Sequence, residues 1–225
     1  MMAISNFFSG SNVMSNANLE DFIVEIPNFI SKEECDALIN KFNDADDHFK
    51  NPGTVIRVDN EGNLSKLTNT GVKSSTDMHL NDNHVCYGNN IHERLMKSMK
   101  YYKDVVTMKC PTFGEILHQI LSQNATVGDP VLQRTGPGQQ FKWHVDTNKW
   151  SDLKRLFAFI VYLNDSDEFE GGYTEFLPRR VVPEAGKLLI FPAENCMLHR
   201  GVVVERGFKY IITAFCHEAV VSRLI

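Results

Sequence analysis

Two kinds of partner are disfavoured by what the sequence lacks. There is no cluster of lysine and arginine residues, and the 23 basic residues are outnumbered by 28 acidic ones. A nucleic-acid-binding surface needs concentrated positive charge, so we expect no nucleic-acid partner. No apolar run reaches the roughly 18 residues that cross a bilayer, so we expect no membrane contact either. A peptide or a small molecule is the expected substrate.

A secretory signal and a disulfide framework are also missing. Residues 1–20 have neither a basic start nor a continuous apolar stretch. The five cysteines have no regular spacing and form no CxxC pair, whereas disulfide-rich domains and zinc sites depend on such spacing. They are Cys35, Cys86, Cys110, Cys196 and Cys216. We therefore expect buried free thiols and a cytoplasmic location.

Length and composition predict a single folded domain. The chain has 225 residues, of which 43% are hydrophobic and 23% are charged, as in ordinary globular proteins. Residues 1–19 are small and polar, so we expect a flexible leader there. Residues 20–225 then form one domain, with a helix-rich support at 20–128 and a β-rich core at 129–219.

The support contains several segments with a clear pattern. Residues 31–34, Ser-Lys-Glu-Glu, form a capping box, and apolar residues follow it at helical spacing. The same spacing predicts helices over 91–102 and after Pro111. A short strand over 22–26 precedes them. Residues 59–70 are polar and rich in Asn and Gly, which predicts a long loop or a loose hairpin.

After residue 129 the sequence changes to short apolar runs separated by Gly, Pro, Asn and Asp. Such runs predict an antiparallel β-sandwich or barrel, and therefore a mostly β protein. The predicted strands are 131–134, 141–145, 156–163, 174–177, 187–191, 197–204 and 210–217.

One short motif has the pattern of a metal site. His144 and Asp146 lie two residues apart, so in a strand their side chains point to the same side and can share one ion. His199 follows after three further predicted strands, and a barrel that folds back could bring it beside them. Two histidines and one carboxylate on one face leave three positions of Fe(II) open. Such a site can bind a co-substrate and oxygen.

The same residues also allow a purely structural interpretation. His144 and His199 could be ordinary strand histidines, and Asp146 could begin a turn with Thr147 and Asn148. On spacing alone, both interpretations stay open.

The wider context of the motif is more specific. The sequence Gly-Pro-Gly-Gln-Gln-Phe-Lys-Trp-His-Val-Asp occupies residues 136–146, and further characteristic segments follow and precede it in order. These are 22–31 with 34–39, 155–165, 171–176, 186–191, His199 and 207–210. Together they span about residues 21–219 and resemble the prolyl 4-hydroxylase branch of the Fe(II)/2-oxoglutarate-dependent dioxygenases.

The resemblance implies a double-stranded β-helix, or jelly-roll, flanked by the N-terminal helices. It implies Fe(II) held by His144, Asp146 and His199, 2-oxoglutarate as co-substrate, molecular oxygen as oxidant, and ascorbate as a further candidate cofactor. Lys209 stands where the family pairs a basic residue with the distal carboxylate of 2-oxoglutarate, and Thr174 where it often has an assisting hydroxyl. A buried dianion needs such a cation.

The chain departs from the family at Thr135. The family often has a tyrosine nine residues before the first histidine, bonded to the same distal carboxylate. Because a threonine hydroxyl is shorter, we expect this contact to be lost, taken by water, or supplied from another strand by Tyr162. Ala158, Ile160 and Phe191 are expected to line the site with apolar groups, and each is also an expected core residue.

The resemblance favours a prolyl residue within a peptide as the substrate. Lys73, Ser74 and Ser75 stand where such hydroxylases have a basic, hydroxyl-rich strand beside the peptide groove. The polar segment 59–77 is expected to close over the peptide. No second buried Arg or Lys is evident from the sequence to pair with the carboxylate of a free amino acid, which also favours a peptide.

Three alternatives stay open. A related dioxygenase would act on a free amino acid, another side chain or a small metabolite. The segment 59–77 could be only a surface hairpin with a solvated lysine. A non-catalytic jelly-roll could bind a metal or a carboxylate ligand, although such a module would have no need for Lys209 in addition to the three metal ligands.

Overall fold

The computed structural model describes residues 17–58, 64–80, 88–122, 125–147 and 154–218. Most of the leader expected at residues 1–19 lies outside these ranges. So do Cys86, Asn148, the first part of the 59–70 segment and the last residue of the expected 129–219 core.

The described helices all precede residue 123. They are α1 (Lys32–Asp44), α2 (Gly88–Lys109) and α3 (Pro111–Ser122), with short 3-10 helices at Leu19–Phe22 and Asp47–Phe49. The predicted capping box is present at the start of α1, where the Glu34 amide donates to Ser31 Oγ and the Ser31 amide donates to Glu34 Oε2. No described helix is both long enough and apolar enough to cross a membrane.

The remaining regular structure is β. The strands are β1 (Val24–Ile26), β2 (Asn51–Pro52), β3 (Val55–Val58), β4 (Leu64–Leu67), β5 (Thr76–His79), β6 (Ala125–Val127), β7 (Val131–Thr135), β8 (Phe141–His144), β9 (Arg155–Tyr162), β10 (Glu170–Gly171), β11 (Thr174–Phe176), β12 (Arg180–Val181), β13 (Leu188–Pro192), β14 (His199–Gly201), β15 (Val204–Arg206) and β16 (Lys209–Glu218).

Two antiparallel sheets form the core of the molecule. The larger sheet has the order β1-β13-β9-β16-β7-β5-β2, and β6 also pairs with β16. The smaller sheet has the order β12-β11-β14-β8, while β10–β15 and β3–β4 form separate pairs. Strands that are distant in sequence are neighbours in both sheets, and helices flank the larger one. This arrangement confirms the predicted mostly β jelly-roll.

The longest strand, β16, separates two environments by simple alternation. Tyr210 and Ile212 belong to the apolar cluster that packs the sheet against α1, α2 and α3. Lys209, Ile211 and Thr213 point to the other face and line the main cavity of the molecule. Because successive side chains of a strand lie on opposite faces, one strand supplies both the core and the cavity wall.

Two predicted elements differ in detail. The predicted strand 197–204 is divided into β14 and β15, because the backbone of Val202 and Val203 bonds to Tyr173 and Gly172 instead of continuing along β8. The expected strand at 22–26 is limited to β1, since a 3-10 helix occupies Leu19–Phe22. The segment 59–70 contributes to a hairpin, β3–β4, which was one of the two forms expected for it.

Truncation at the centre of the larger sheet should destabilise the fold strongly. Ile212 is fully buried and pairs with Val161 on one side and Leu132 on the other. We expect Ile212→Ala to lower the free energy of unfolding by about 2–5 kcal/mol. Leu177→Ala is the matched control, because Leu177 is 67% exposed, and it should change stability by less than about 0.5 kcal/mol. Urea unfolding of both variants measures the difference. Equal losses would contradict this packing.

Candidate metal centre and cavity

Three metal-ligand side chains meet at the edge of the smaller sheet. His199 on β14 lies directly opposite His144 on β8, and Asp146 follows β8 by two residues. The Nε2 atoms of His144 and His199 are 3.6 and 3.4 Å from the two carboxylate oxygens of Asp146. One donor atom from each of the three residues lies within 4.8 Å of the others. The predicted juxtaposition is therefore present.

The remaining ring nitrogens explain how the two imidazoles are oriented. His144 Nδ1 lies 2.7 Å from the Lys142 carbonyl oxygen, and His199 Nδ1 lies 2.9 Å from that of Met197. A carbonyl oxygen only accepts, so each Nδ1 carries the proton and each Nε2 presents a lone pair toward Asp146. Neighbouring ligands bonded at about 2.1 Å to one ion stand about 3 Å apart, close to the observed spacing. The donor set fits Fe(II).

The electrostatics of the three residues also favour a bound cation. Burial alone would raise the pKa of Asp146, but the interactions with His144 and His199 outweigh it and hold that pKa below its usual value. Burial lowers the pKa of His199, despite the opposing effect of Asp146. An ionised Asp146 carboxylate and a neutral His199 imidazole are the protonation states that metal binding needs.

The donors face a cavity between the two sheets. Its volume is about 720 Å³, within the range of small-molecule sites. Ala158 and Ile160 line it as expected. Phe191 is not part of the wall, since it packs edge-on against the His199 ring with centroids 4.8 Å apart. The cavity thus combines an apolar floor with a cluster of metal-ligand side chains.

Lys209 enters the same cavity from the larger sheet. It is only 5% exposed, and its Nζ donates to the Gly172 carbonyl oxygen at 2.6 Å. No carboxylate pairs with it in the described part of the chain. Burial lowers its pKa to about 8. An unpaired cation buried in a cavity is costly, so this position fits an anionic ligand.

Of the three hydroxyl groups expected around Lys209, two line the cavity and one lies behind its wall. Thr174 and Thr135 both line the cavity, and Thr135 is the direct β-sheet partner of Lys209. Tyr162 is fully buried behind the wall, where its hydroxyl donates to Thr174 Oγ1 at 2.7 Å. Tyr162 is therefore bonded to the cavity wall through Thr174 and is not one of the residues that line the cavity.

Lys73, Ser74 and Ser75 form another part of the cavity wall. Lys73 is 8% exposed, and its Nζ lies 2.8 Å from Asp77 Oδ2. Ser75 Oγ donates to the other oxygen of the same carboxylate at 2.6 Å. The Lys73 ammonium is thus held by Asp77, and it is neither a solvated surface group nor free of a partner.

The structure adds Arg155, which the sequence did not single out. Arg155 lines the cavity and donates to the Asp146 carbonyl oxygen at 3.2 Å. Its guanidinium lies 3.6 Å from the centroid of the Phe215 ring, and its buried Nε has no hydrogen-bond partner among the described residues. A second basic side chain besides Lys209 therefore lines the cavity on this side, although none was evident from the sequence.

A local irregularity explains why Arg155 was missed. Ala158 and Ile160 face the cavity, so alternation along β9 assigns Leu156, and not Arg155, to the same face. The pairing of β9 with β16 shifts register between Cys216 and His217. Because a bulge adds one residue to one strand, the side chains before it change faces, and Arg155 comes to lie on the cavity side. Nothing in the sequence pattern marks it.

A family model matches the cavity-bearing part of the chain. Residues 130–217 match the model of the 2OG-Fe(II) oxygenase superfamily. This segment, which is less than half of the chain, is similar to a 2OG-Fe(II) oxygenase domain. The family uses Fe(II) and 2-oxoglutarate, which agrees with the donor set at His144, Asp146 and His199. The predicted resemblance, enzyme class and pair of cofactors are confirmed. Ascorbate stays a prediction.

Solved structures with the same fold include several prolyl hydroxylases. The viral collagen prolyl hydroxylase of Paramecium bursaria Chlorella virus-1 is 20% identical, with a TM-score of 0.56 over 88% of this chain and 97% of the other. A Pseudomonas putida prolyl-4-hydroxylase is 13% identical, with a TM-score of 0.59 over 88% and 94%.

A third structure was solved with a peptide. A Trichoplax adhaerens prolyl hydroxylase in complex with a peptide fragment of the hypoxia inducible factor oxygen degradation domain is 16% identical. Its TM-score is 0.57 over 88% of this chain and 84% of the other. At such identities the likeness establishes the fold. No curated protein sequence matches the chain significantly.

The lowered pKa of Lys209 predicts how 2-oxoglutarate binding depends on pH. Below a pKa of about 8 the ammonium is charged and attracts the dianion, and above it the charge is lost. The dissociation constant should be flat below pH 7 and rise roughly tenfold per unit above pH 8. Lys209→Arg should bind more weakly at neutral pH but without this rise, since arginine stays protonated. Calorimetric titration with Mn(II)-loaded protein measures both. A rise of equal size in the Arg variant would exclude Lys209 as its source.

Proposed function

We propose that this protein is an Fe(II)- and 2-oxoglutarate-dependent dioxygenase that hydroxylates prolyl residues in a peptide or protein. Residues 20–225 would form its single catalytic domain. The observation that carries the proposal is that the donors of His144, Asp146 and His199 open into the same cavity as the buried Lys209 ammonium.

The residues divide into two groups by role. His144, Asp146 and His199 would hold Fe(II) on one face, and Lys209 would pair with the distal carboxylate of 2-oxoglutarate. Bound together, iron and 2-oxoglutarate would supply the oxidising chemistry, in which oxygen converts 2-oxoglutarate to succinate and carbon dioxide and hydroxylates the substrate. The protein would orient both ligands and exclude water.

Hydroxyl groups would complete the binding of the distal carboxylate. Thr174 and Thr135 lie in the wall near Lys209, and the bond from the Tyr162 hydroxyl leaves the Thr174 proton free to be donated outward. In this arrangement Tyr162 orients Thr174. Thr135 would replace a longer side chain at a position directly opposite Lys209.

The shape of the cavity supports a peptide. A second groove of about 430 Å³ shares Lys73, Ser74 and Ser75 with the main cavity and continues along Gly53 and Arg134. A chain that entered the cavity at one residue could leave along this groove. A free amino acid would need full enclosure and would make no use of the second groove.

Substrate binding would involve the wall at Lys73 and the β3–β4 hairpin. Val55 and Leu67, one from each strand of the hairpin, line the cavity. A movement of the hairpin would therefore cover or open the site. Because Asp77 already neutralises Lys73, this lysine would contact a neutral backbone carbonyl rather than a carboxylate.

Arg155 favours a second candidate substrate. Its guanidinium group lines the cavity and could hold the carboxylate of a free amino acid or another small acid. The same group could donate to a peptide carbonyl. Arg155 thus makes a small carboxylate-bearing substrate the main competitor of the peptide.

The compartment is proposed to be cytoplasmic and reducing. The cysteines in the described chain are free thiols, with Cys35 and Cys216 buried and Cys196 exposed. An exposed free thiol and ferrous iron both persist best under reducing conditions. Ascorbate would serve as a reductant for the iron.

Comparing substrates tests the proposed function. We expect succinate formation from 2-oxoglutarate to be stimulated by proline-containing peptides and by neither free L-proline nor other free amino acids. Replacing the hairpin 55–67 by a short Gly-Ser linker should lower peptide turnover while leaving 2-oxoglutarate binding intact. Hydroxylated product is identified by mass spectrometry. Turnover of free amino acids alone, or full peptide activity without the hairpin, would contradict the peptide assignment.

A further inference from the structure

Asn164, which follows β9, has a buried side chain that is not part of the cavity wall. It is 3% exposed. Its Nδ2 donates to the Phe208 carbonyl oxygen at 2.9 Å, and its Oδ1 accepts from the Tyr210 amide at 2.9 Å. The two bonded backbone groups lie on either side of Lys209.

The position of Asn164 in the sheet explains this arrangement. β9 ends at Tyr162, and the Leu163 amide still bonds to the Tyr210 carbonyl oxygen at 3.0 Å. Beyond that point the side-chain amide of Asn164 takes over the pairing with β16. A planar amide offers one donor and one acceptor, as a peptide group does.

The far end of the Lys209 side chain is also held in place, by contacts with Gly172. Its Nζ donates to the Gly172 carbonyl oxygen, and Gly172 has a φ of +66°. A Cβ at Gly172 would lie 2.7 Å from Phe169 and 3.3 Å from Lys209 Cδ. Asn164 fixes the backbone of Lys209, and Gly172 limits where its ammonium can lie.

We propose that Asn164 is a positioning residue for 2-oxoglutarate: its amide clamps the backbone on both sides of Lys209 and so sets where the ammonium meets the distal carboxylate. The inference rests on the proposed role of Lys209. Asn164 touches neither the metal ligands nor the cavity, so its effect should fall on 2-oxoglutarate and not on the metal.

Two variants separate this role from a general effect on folding. Asn164→Ala removes both bonds. Asn164→Asp keeps an acceptor for the Tyr210 amide, but it replaces the donor to Phe208 by a charged oxygen that repels that carbonyl. We expect the Ala variant to weaken 2-oxoglutarate binding to Mn(II)-loaded protein about tenfold, the effect of one charge-assisted hydrogen bond. The Asp variant should also weaken binding. The Mn(II) affinity and the turnover rate at saturating 2-oxoglutarate should change little.

Ser98→Ala is the matched structural control. Ser98 is buried and donates to the Leu95 carbonyl oxygen at 2.7 Å within α2. Its loss should lower the melting temperature without changing 2-oxoglutarate binding. If Asn164→Ala does not fold, Asn164→Asp is compared with Ser98→Ala in the same titration.

A double variant links Asn164 to Lys209. In a Lys209→Ala background, Asn164→Ala should cause no further loss of 2-oxoglutarate affinity, because the group that it positions is gone. Additive losses, or an Asn164 variant that behaves like Ser98→Ala, would overturn the inference. If Lys209→Ala itself leaves 2-oxoglutarate binding unchanged, the failure lies in the proposed function and the clamp fails with it.

Discussion

The pairing of β14 with β8 is the constraint on which the rest of the site depends. It puts His199 opposite His144, although the two residues belong to distant parts of the sequence. Since side chains alternate along a strand, a shift of one residue in this register would turn one imidazole away from the cavity. The neighbouring strand β11 extends the same register, with Phe176 opposite His199 and Thr174 opposite Gly201. One set of backbone hydrogen bonds therefore arranges the metal donors and a hydroxyl of the co-substrate region.

The larger sheet provides the opposite wall by the same alternation. Lys209 and Ile211 face the cavity, while Tyr210 and Ile212 bury against the helices. The helix-side core thus holds the sheet in place without contributing to the cavity. Burial also favours anion binding at Lys209. A buried cation with no acidic partner in the described chain binds an anion more favourably than a solvated one does.

Much of this arrangement could be predicted from the sequence, and the exceptions have identifiable causes. The HxD spacing depends on the local period of a strand, which predicts that His144 and Asp146 share one face. Lys209 was predicted from the family resemblance, and the structure puts it in the same cavity. Arg155 was missed because a register shift at the start of β9 exchanges the two faces on which its side chains lie. The contact of Lys73 with Asp77 and the clamp at Asn164 depend on how segments meet in three dimensions, which no local pattern encodes.

The most direct test of the account is whether iron and 2-oxoglutarate bind together at the three predicted donors. Anaerobic titration of Fe(II) in the presence of 2-oxoglutarate, followed by visible charge-transfer absorption, measures this joint binding. The wild type should develop the absorption, and so should His79→Ala, a control at an exposed histidine on β5. His199→Ala should not, since losing a ligand should weaken metal binding by more than about 100-fold. An undiminished absorption in His199→Ala, or none in the wild type, would contradict the account.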